Sequence, residues 1–248
     1  MSPSGLDRFT TAQVDVENFA LITHAVPVER LRRVVPDRFT LETFESECGR
    51  EIGFISASSF CNHQIHWSAA RYPAHDFDQS TFRTYVTHRG RRGAYFFGTY
   101  VSTRASFIAQ IAVAANTHLA EFDVDIDLQE DGYASYSSRA VTAQGELHFE
   151  LEARGAPEAK PPFATGLEHS EFITYRLHGF SRPPLGGVSY GPIEHRHMDP
   201  WSGQLISGRF DMWEELGLLP RDEWDTPFSV LVEPSVRFTL HPPRPAGA

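Results

Sequence analysis

The sequence predicts an α+β fold, mostly antiparallel β-structure on a large curved or closed sheet, with two or three helices. Three observations carry this. Short β-type runs separated by turn residues recur along the chain, one pair of them is joined by clear hairpin chemistry, and only a few stretches show helical spacing.

In chain order, Phe19 to Val26 reads as a strand, followed by a short helix. Pro27 opens that helix, Leu31, Val34 and Val35 give it an apolar face, and Pro36 stops it. Phe39 to Phe44 and Glu51 to Phe60 read as strands. Thr81 to Arg89 and Gly93 to Val101 form the clearest hairpin, turned by Gly90-Arg91-Arg92. Ser102-Thr103-Arg104 then caps a helix expected at about 103–115, with Phe107, Ile108, Ile111, Ala112 and Ala115 on one face. Phe122 to Asp127 alternates strictly, with an apolar face and a face of three aspartates, as a half-exposed strand does. Strands near 133–141 and 145–153 continue the meander. Ala153 to Thr165, with three prolines and a glycine, reads as a surface loop. Leu167 to Leu177 reads as a second helix, and Val188 to Met198 and Ser229 to Leu240 as further strands.

Composition narrows the function. The 248 residues, with neither a repeat nor a long linker, read as one domain, 1–248. Thirty-two acidic against 22 basic residues give a net charge of −10, which repels phosphate backbones and anionic membrane surfaces. Nucleic acid and membrane are therefore not expected partners. The start of the chain lacks a signal-peptide pattern and no long apolar run follows, so the expected location is the cytoplasm. Cys48 and Cys61 are too few for a disulfide framework. Lys160 is the only lysine, so amine chemistry has one candidate. No G-x-S-x-G elbow, P-loop or G-x-G-x-x-G occurs, which removes hydrolase-triad, kinase and dinucleotide readings.

Several motifs resemble one family. Leu21-Ile22-Thr23-His24 with Val28 to Pro36, then Phe82-Arg83-Thr84-Tyr85-Val86 with Gly93-Ala94-Tyr95-Phe96-Phe97, and more weakly Phe172 to Arg176 and His197 to Trp201, resemble the acetoacetate-decarboxylase-like superfamily. Within it, the Arg-Thr-Tyr-Val and glycine-aromatic pair is similar to the YqjF-like branch. The resemblance implies a conical, closed antiparallel β-barrel around a small-molecule cavity, and leaves room for a homo-oligomer. It also marks departures. Where the decarboxylases carry the lysine that attacks the substrate ketone, this chain has His118, and where they carry an arginine it has Ala25. Gln79 and Thr81 stand where the branch commonly has glutamate and asparagine.

The resemblance places His118 in the cavity, where an imidazole suits general-base work; the alternative is a histidine satisfied by its neighbours. Arg83, among apolar neighbours, is expected to clamp a carboxylate or enolate oxygen, or else to pair with a structural acid such as Asp76 or Asp78. His24 and His197 are the further acid/base candidates. Gln79, Tyr85, Tyr95, Phe97, His195 and Trp201 are candidate substrate contacts. His195, His197 and Asp199 would share one face of a strand as a metal half-site, but three or four converging ligands are needed and no second cluster is evident beyond His63 and His66, so no metal or cofactor is assigned. The expected function is an enzyme acting on a small β-keto or polyketide-like carbonyl substrate by proton transfer and enolate stabilisation, without a Schiff base: a lyase, isomerase or cyclase. The alternatives are a non-catalytic binding protein of the same fold and, more weakly, a metal-dependent hydrolase.

Overall fold

The computed structural model describes residues 11–103, 116–182 and 187–245. The helix expected at about 103–115 lies almost wholly outside them. The order is β1 (Ala12–Pro27), α1 (Val28–Arg32), β2 (Thr40–Leu41), β3 (Thr43–Glu45), β4 (Glu51–Trp67), β5 (Ala70–His88), β6 (Arg91–Val101), β7 (Thr117–Leu119), β8 (Glu121–Gln129), β9 (Gly132–Thr142) and β10 (Gly145–Arg154). Then follow α2 (Gly166–Thr174), β11 (His178–Ser181), β12 (Ser189–Glu194), β13 (Trp201–Phe210), α3 (Asp211–Glu215), β14 (Ser229–Leu240) and β15 (Arg244–Pro245). Among the described residues no helix is long and apolar enough to cross a membrane.

Seven strands close into a ring in the order β14, β1, β4, β5, β6, β11, β12, with β12 pairing back onto β14 through Ile193↔Leu240 and Glu194↔Thr239. All its pairs are antiparallel except β6–β11. From β14 an arm runs on through β13, β10, β9 and β8 and folds against the ring's outer face. The mostly antiparallel sheet expected from the sequence is thus present.

Side chains alternate between the inside and outside of the ring, but the alternation changes phase at three irregularities. In β1 the register shifts between Glu17 and Ala20, at Asn18 with φ 53°, so that Val16 and Phe19 both face inward. In β4 it shifts between Asn62 and Ile65, beside Gln64 with φ 51°. In β6, Phe96 pairs with Arg83 and Gly98 with Phe82, leaving Phe97 as the extra residue. The Asn18 kink also receives the arm: the Tyr133 hydroxyl donates to its side-chain oxygen and the Tyr136 hydroxyl to its carbonyl, each at 2.9 Å. Outward residues of the ring pack with the arm and α3 in one core, where Phe82 meets Tyr100 and Trp213 at ring-centre distances of 5.2 and 5.0 Å.

Several boundaries differ from the sequence expectation. Phe39 to Phe44 is not one strand, because β2 pairs with β5 whereas β3 pairs with β4. The chain crosses between the two at Glu42, whose N–H donates to the Tyr85 carbonyl at 3.1 Å. The helix expected over Leu167 to Leu177 starts at Gly166, where the Thr165 hydroxyl accepts from the Glu168 N–H, and stops at Thr174. The strand expected over Val188 to Met198 ends at Glu194. β7, β11, β13 and α3 were not evident in the sequence.

Phe82 is fully buried at the centre of the outer core. Phe82→Ala should cost about 3–5 kcal/mol, read as a lowered urea midpoint at unchanged slope.

Candidate functional site

Inward side chains from all seven ring strands enclose one cavity: Val14, Phe60, Arg83, Phe96, His178, Ile193 and Phe238 each contribute from a different strand. Its space open to the centre of a water-sized sphere is ≈ 60 Å³, several times the ~10–15 Å³ that one water needs. The walls are mainly apolar and aromatic. The polar groups are Asn62, Gln79, Thr81, Arg83, Thr174, Arg176, His178 and His195, and no aspartate or glutamate is among the described lining residues. In a chain of net charge −10, that exclusion of acids is local and specific.

Arg83 is 6% exposed and, among the described residues, in contact with no carboxylate. One of its terminal nitrogens donates to the Ile173 carbonyl at 3.0 Å, in the last turn of α2, where the helix presents its negative end. Its guanidinium carbon lies 5.9 Å from the Phe19 ring centre and 5.8 Å from that of Tyr85, and its Nε–H has no acceptor. Of the acids named as partners in the structural alternative, Asp76 accepts from the Gln64 N–H and lies 3.3 Å from His63, and among the described residues neither Asp76 nor Asp78 forms an ion pair with Arg83. A buried guanidinium without a counter-ion carries a desolvation cost that an anionic ligand would offset.

Tyr85 forms the floor under Arg83. Its hydroxyl meets the Ser56 hydroxyl at 2.6 Å, Ser56 meets Thr23 at 2.8 Å, and Tyr85 also reaches the Ile173 carbonyl at 3.4 Å. Asn62 donates to Gln79 Oε1 at 3.1 Å, which leaves Gln79 its two N–H donors. His195 follows the end of β12 and turns to the cavity, stacked on Phe238 at 4.7 Å between ring centres. Burial first, and then the charge of Arg83 and its neighbours, pushes the imidazole down to about 4. It is therefore neutral near pH 7. Because Nδ1 lies 2.7 Å from the Arg196 carbonyl it must carry the proton, and Nε2 is left with a free lone pair.

Arg176, just beyond α2, is the site residue that sequence reasoning missed. It is 5% exposed, lies 4.2 Å from the Phe172 ring centre and 4.8 Å from that of Tyr85, and donates to the Phe172 carbonyl at 2.6 Å and to Glu42 at 3.0 Å. It lines both the cavity and an outer groove beside Arg91, Arg92 and Tyr175. Burial alone would raise the Glu42 carboxyl, but Arg92 and Arg176 outweigh it and hold the group below the usual carboxylate range. A lone arginine after an apolar helix was the available signal; its partner, 134 positions away, was not visible.

The ring brings together Arg83, Gln79 and His195, with Tyr85 beneath them, and leaves the other candidates elsewhere. His118 is not in the cavity lining: β7 runs parallel to β6 with His118 opposite Tyr100, an outward residue of the outer core, and the two rings meet at 6.1 Å. His118 and Arg83 thus occupy opposite faces of the sheet. His24 also faces outward, its Nε2 2.9 Å from the Trp224 carbonyl and its ring against Phe210. Tyr95 and Phe97 pack outward with Phe39 and Trp213. Trp201 meets Tyr133 of the arm edge to face, at 5.6 Å between ring centres. His197 is exposed, stacked on Tyr175 at 3.8 Å and paired with Glu171 at 2.9 Å. Since the strand ends at Glu194, His195, His197 and Asp199 do not share a strand face.

A family model described as an uncharacterized conserved protein, DUF2071 (COG2071), matches residues 13–237. No curated protein matches the chain. Among solved structures, an acetoacetate decarboxylase-like enzyme from Sphingomonas wittichii RW1 superposes with TM-score 0.60 at 11% identity, over 99% of this chain and 96% of that one. The enduracididine biosynthesis enzyme MppR, solved with pyruvate, gives 0.61 at 12% identity, over 99% and 93%. Acetoacetate decarboxylase from Legionella pneumophila gives 0.57 at 10%, over 97% and 89%. At these identities the likeness is one of fold.

His195 generates a titration test. Its folded value lies below the ordinary 6.5, so the native state favours the neutral ring. The associated stability is present above pH ~6.5 and lost as pH falls toward about 4. Proton NMR of the His195 ring should show a midpoint near 4 in the folded protein.

Proposed function

The chain belongs to the DUF2071 family, with an acetoacetate decarboxylase-like fold, and on that footing we propose that it is an enzyme acting on a small carbonyl compound inside the seven-stranded ring, by proton transfer and enolate stabilisation without a Schiff base. The observation that carries this reading is Arg83: a buried, unpaired guanidinium in an acid-free cavity, facing the same space as a neutral histidine with a free Nε2 lone pair. That MppR has been solved with pyruvate supports a keto-acid probe.

The chemistry follows from the two groups. His195 Nε2 takes the proton from the carbon next to the carbonyl, and the electron pair moves onto oxygen. Arg83 holds that oxyanion with charge-assisted hydrogen bonds in a low-dielectric enclosure. Gln79 N–H groups orient the substrate. The protonated His195 then returns its proton to the enolate or to a leaving oxygen, which is the common step of lyase, isomerase and cyclase reactions. Histidine at 118 takes no part, because it lies on the outer face.

Exchange of the methyl protons of pyruvate with D2O, followed by NMR, tests the step. The protein should accelerate exchange. Arg83→Lys should lower the rate by about 10²–10³-fold, since an ammonium keeps the charge and loses the planar fork. His195→Gln should lower it by about 10²–10⁴-fold. Pyruvate binding without exchange would favour the binding-protein alternative.

Lys160 lies outside the cavity lining, exposed in the loop before α2, its amine donating to the Phe228 carbonyl and 4.9 Å from that ring's centre. Borohydride added with pyruvate should leave Lys160 unmodified by mass spectrometry. A stoichiometric adduct with loss of exchange would restore an amine mechanism.

A further inference from the structure

Arg83 accounts for one acidic oxygen, and the cavity holds a second guanidinium that this chemistry does not use. Arg176 is buried to the same degree and belongs to the same lining. Both guanidinium carbons stand within 6 Å of the Tyr85 ring centre, at 5.8 and 4.8 Å. Each keeps a buried N–H group without an acceptor, Nε of Arg83 and Nη2 of Arg176.

The local charge does not balance. Glu42 is the carboxylate in contact with Arg176, and it is shared: Arg92 holds both its oxygens, at 3.0 and 2.9 Å, while Arg176 takes one at 3.0 Å. One negative charge thus faces two guanidinium groups, and Arg83 has none. Among the described lining residues of the cavity, the Arg83 charge therefore has no counter-ion and the Arg176 charge has only a shared one. A purely structural arginine would need no such surplus, and burying it without a counter-ion is costly. The apolar walls between the two groups suit a short carbon chain.

We infer that the substrate class is a short 2-oxo dicarboxylic acid, with the carbonyl oxygen and its adjacent carboxylate sharing the Arg83 fork and the second carboxylate held by Arg176. This rests on the reading of the ring interior as a carbonyl site. Arg176 is then the specificity-determining residue, and Glu42 sets how much of its charge reaches the ligand. Arg176 also lines the outer groove, so the second acidic group binds at the end of the cavity nearest the groove, while the carbonyl lies toward Arg83 and His195.

Calorimetric titration of the full chain with pyruvate and with 2-oxoglutarate, at one ionic strength, tests the inference. The wild type should bind 2-oxoglutarate at least tenfold more tightly. Arg176→Gln should abolish that preference, lowering 2-oxoglutarate affinity at least tenfold more than it lowers pyruvate affinity. Glu42→Gln, which preserves side-chain shape, should strengthen 2-oxoglutarate binding several-fold and serves if the Arg176 variant does not fold. Equal affinities, or tighter pyruvate binding, in the wild type would overturn the dianion while leaving the carbonyl site standing. An unchanged preference in Glu42→Gln would also overturn it. Binding of neither keto acid would overturn both readings together.

Discussion

The interior of this molecule depends on two residue pairs, Ile193↔Leu240 and Glu194↔Thr239, through which β12 joins β14. Without them β11 and β12 would hang from β6 as a sheet edge, with unpaired backbone groups and an open face. With them the sheet returns on itself, and every ring residue must face either an enclosed space or the arm outside. A closed sheet turns a one-dimensional alternation into a sorting of surroundings: a cavity that holds Arg83, Gln79 and His195 on one side, the core shared with the arm and α3 on the other. The end of α2 closes over this space, and its last carbonyls meet Arg83 and Arg176 there.

The chemistry follows from the enclosure. In water, a guanidinium and an imidazole a few ångströms apart have little effect on each other. Inside the ring, burial and the Arg83 charge keep His195 neutral, and the Arg196 carbonyl fixes which nitrogen carries the proton. Burial works against the charge of Glu42, and the Arg92 and Arg176 guanidinium groups outweigh it, holding the carboxyl below the usual range. The site is thus built as a set of mutually dependent charges, and a change at one alters the state of the others.

Much of the fold was legible in the sequence, and the site only partly. The hairpin of β5 and β6 and the alternating strand β8 could be read because their signals are local: turn residues in one, three outward aspartates in the other. Arg83 could be found as a polar residue among apolar neighbours, Gln79 from its place in the family order and His195 from its histidine-rich run. The facing of Tyr95, Phe97 and His24 could not, because each lies on a strand whose phase is reset by an irregularity elsewhere. His118 misled for a related reason. Its place in the family order was informative, but its orientation follows from a parallel pairing with Tyr100 that no local pattern announces. Arg176 and Glu42 stayed hidden because their meaning lies in a contact between distant segments.

The extra residue at Phe97 bears on how such a chain can change over time. Upstream of it Ala94 and Phe96 face the cavity; downstream it is Thr99 and Val101 that share a face with inward Thr81 and Gln79. The strand is in effect written in two reading frames joined at one position. A substitution at Phe97 alters its contacts with Tyr95 and Trp213, whereas loss of one residue there would merge the frames and turn half the strand inside out. The count of residues in β6 between Gly93 and Val101 is therefore a constraint of its own, separate from the size limit at Gly93, where a Cβ would stand 2.3 Å from the His178 carbonyl oxygen.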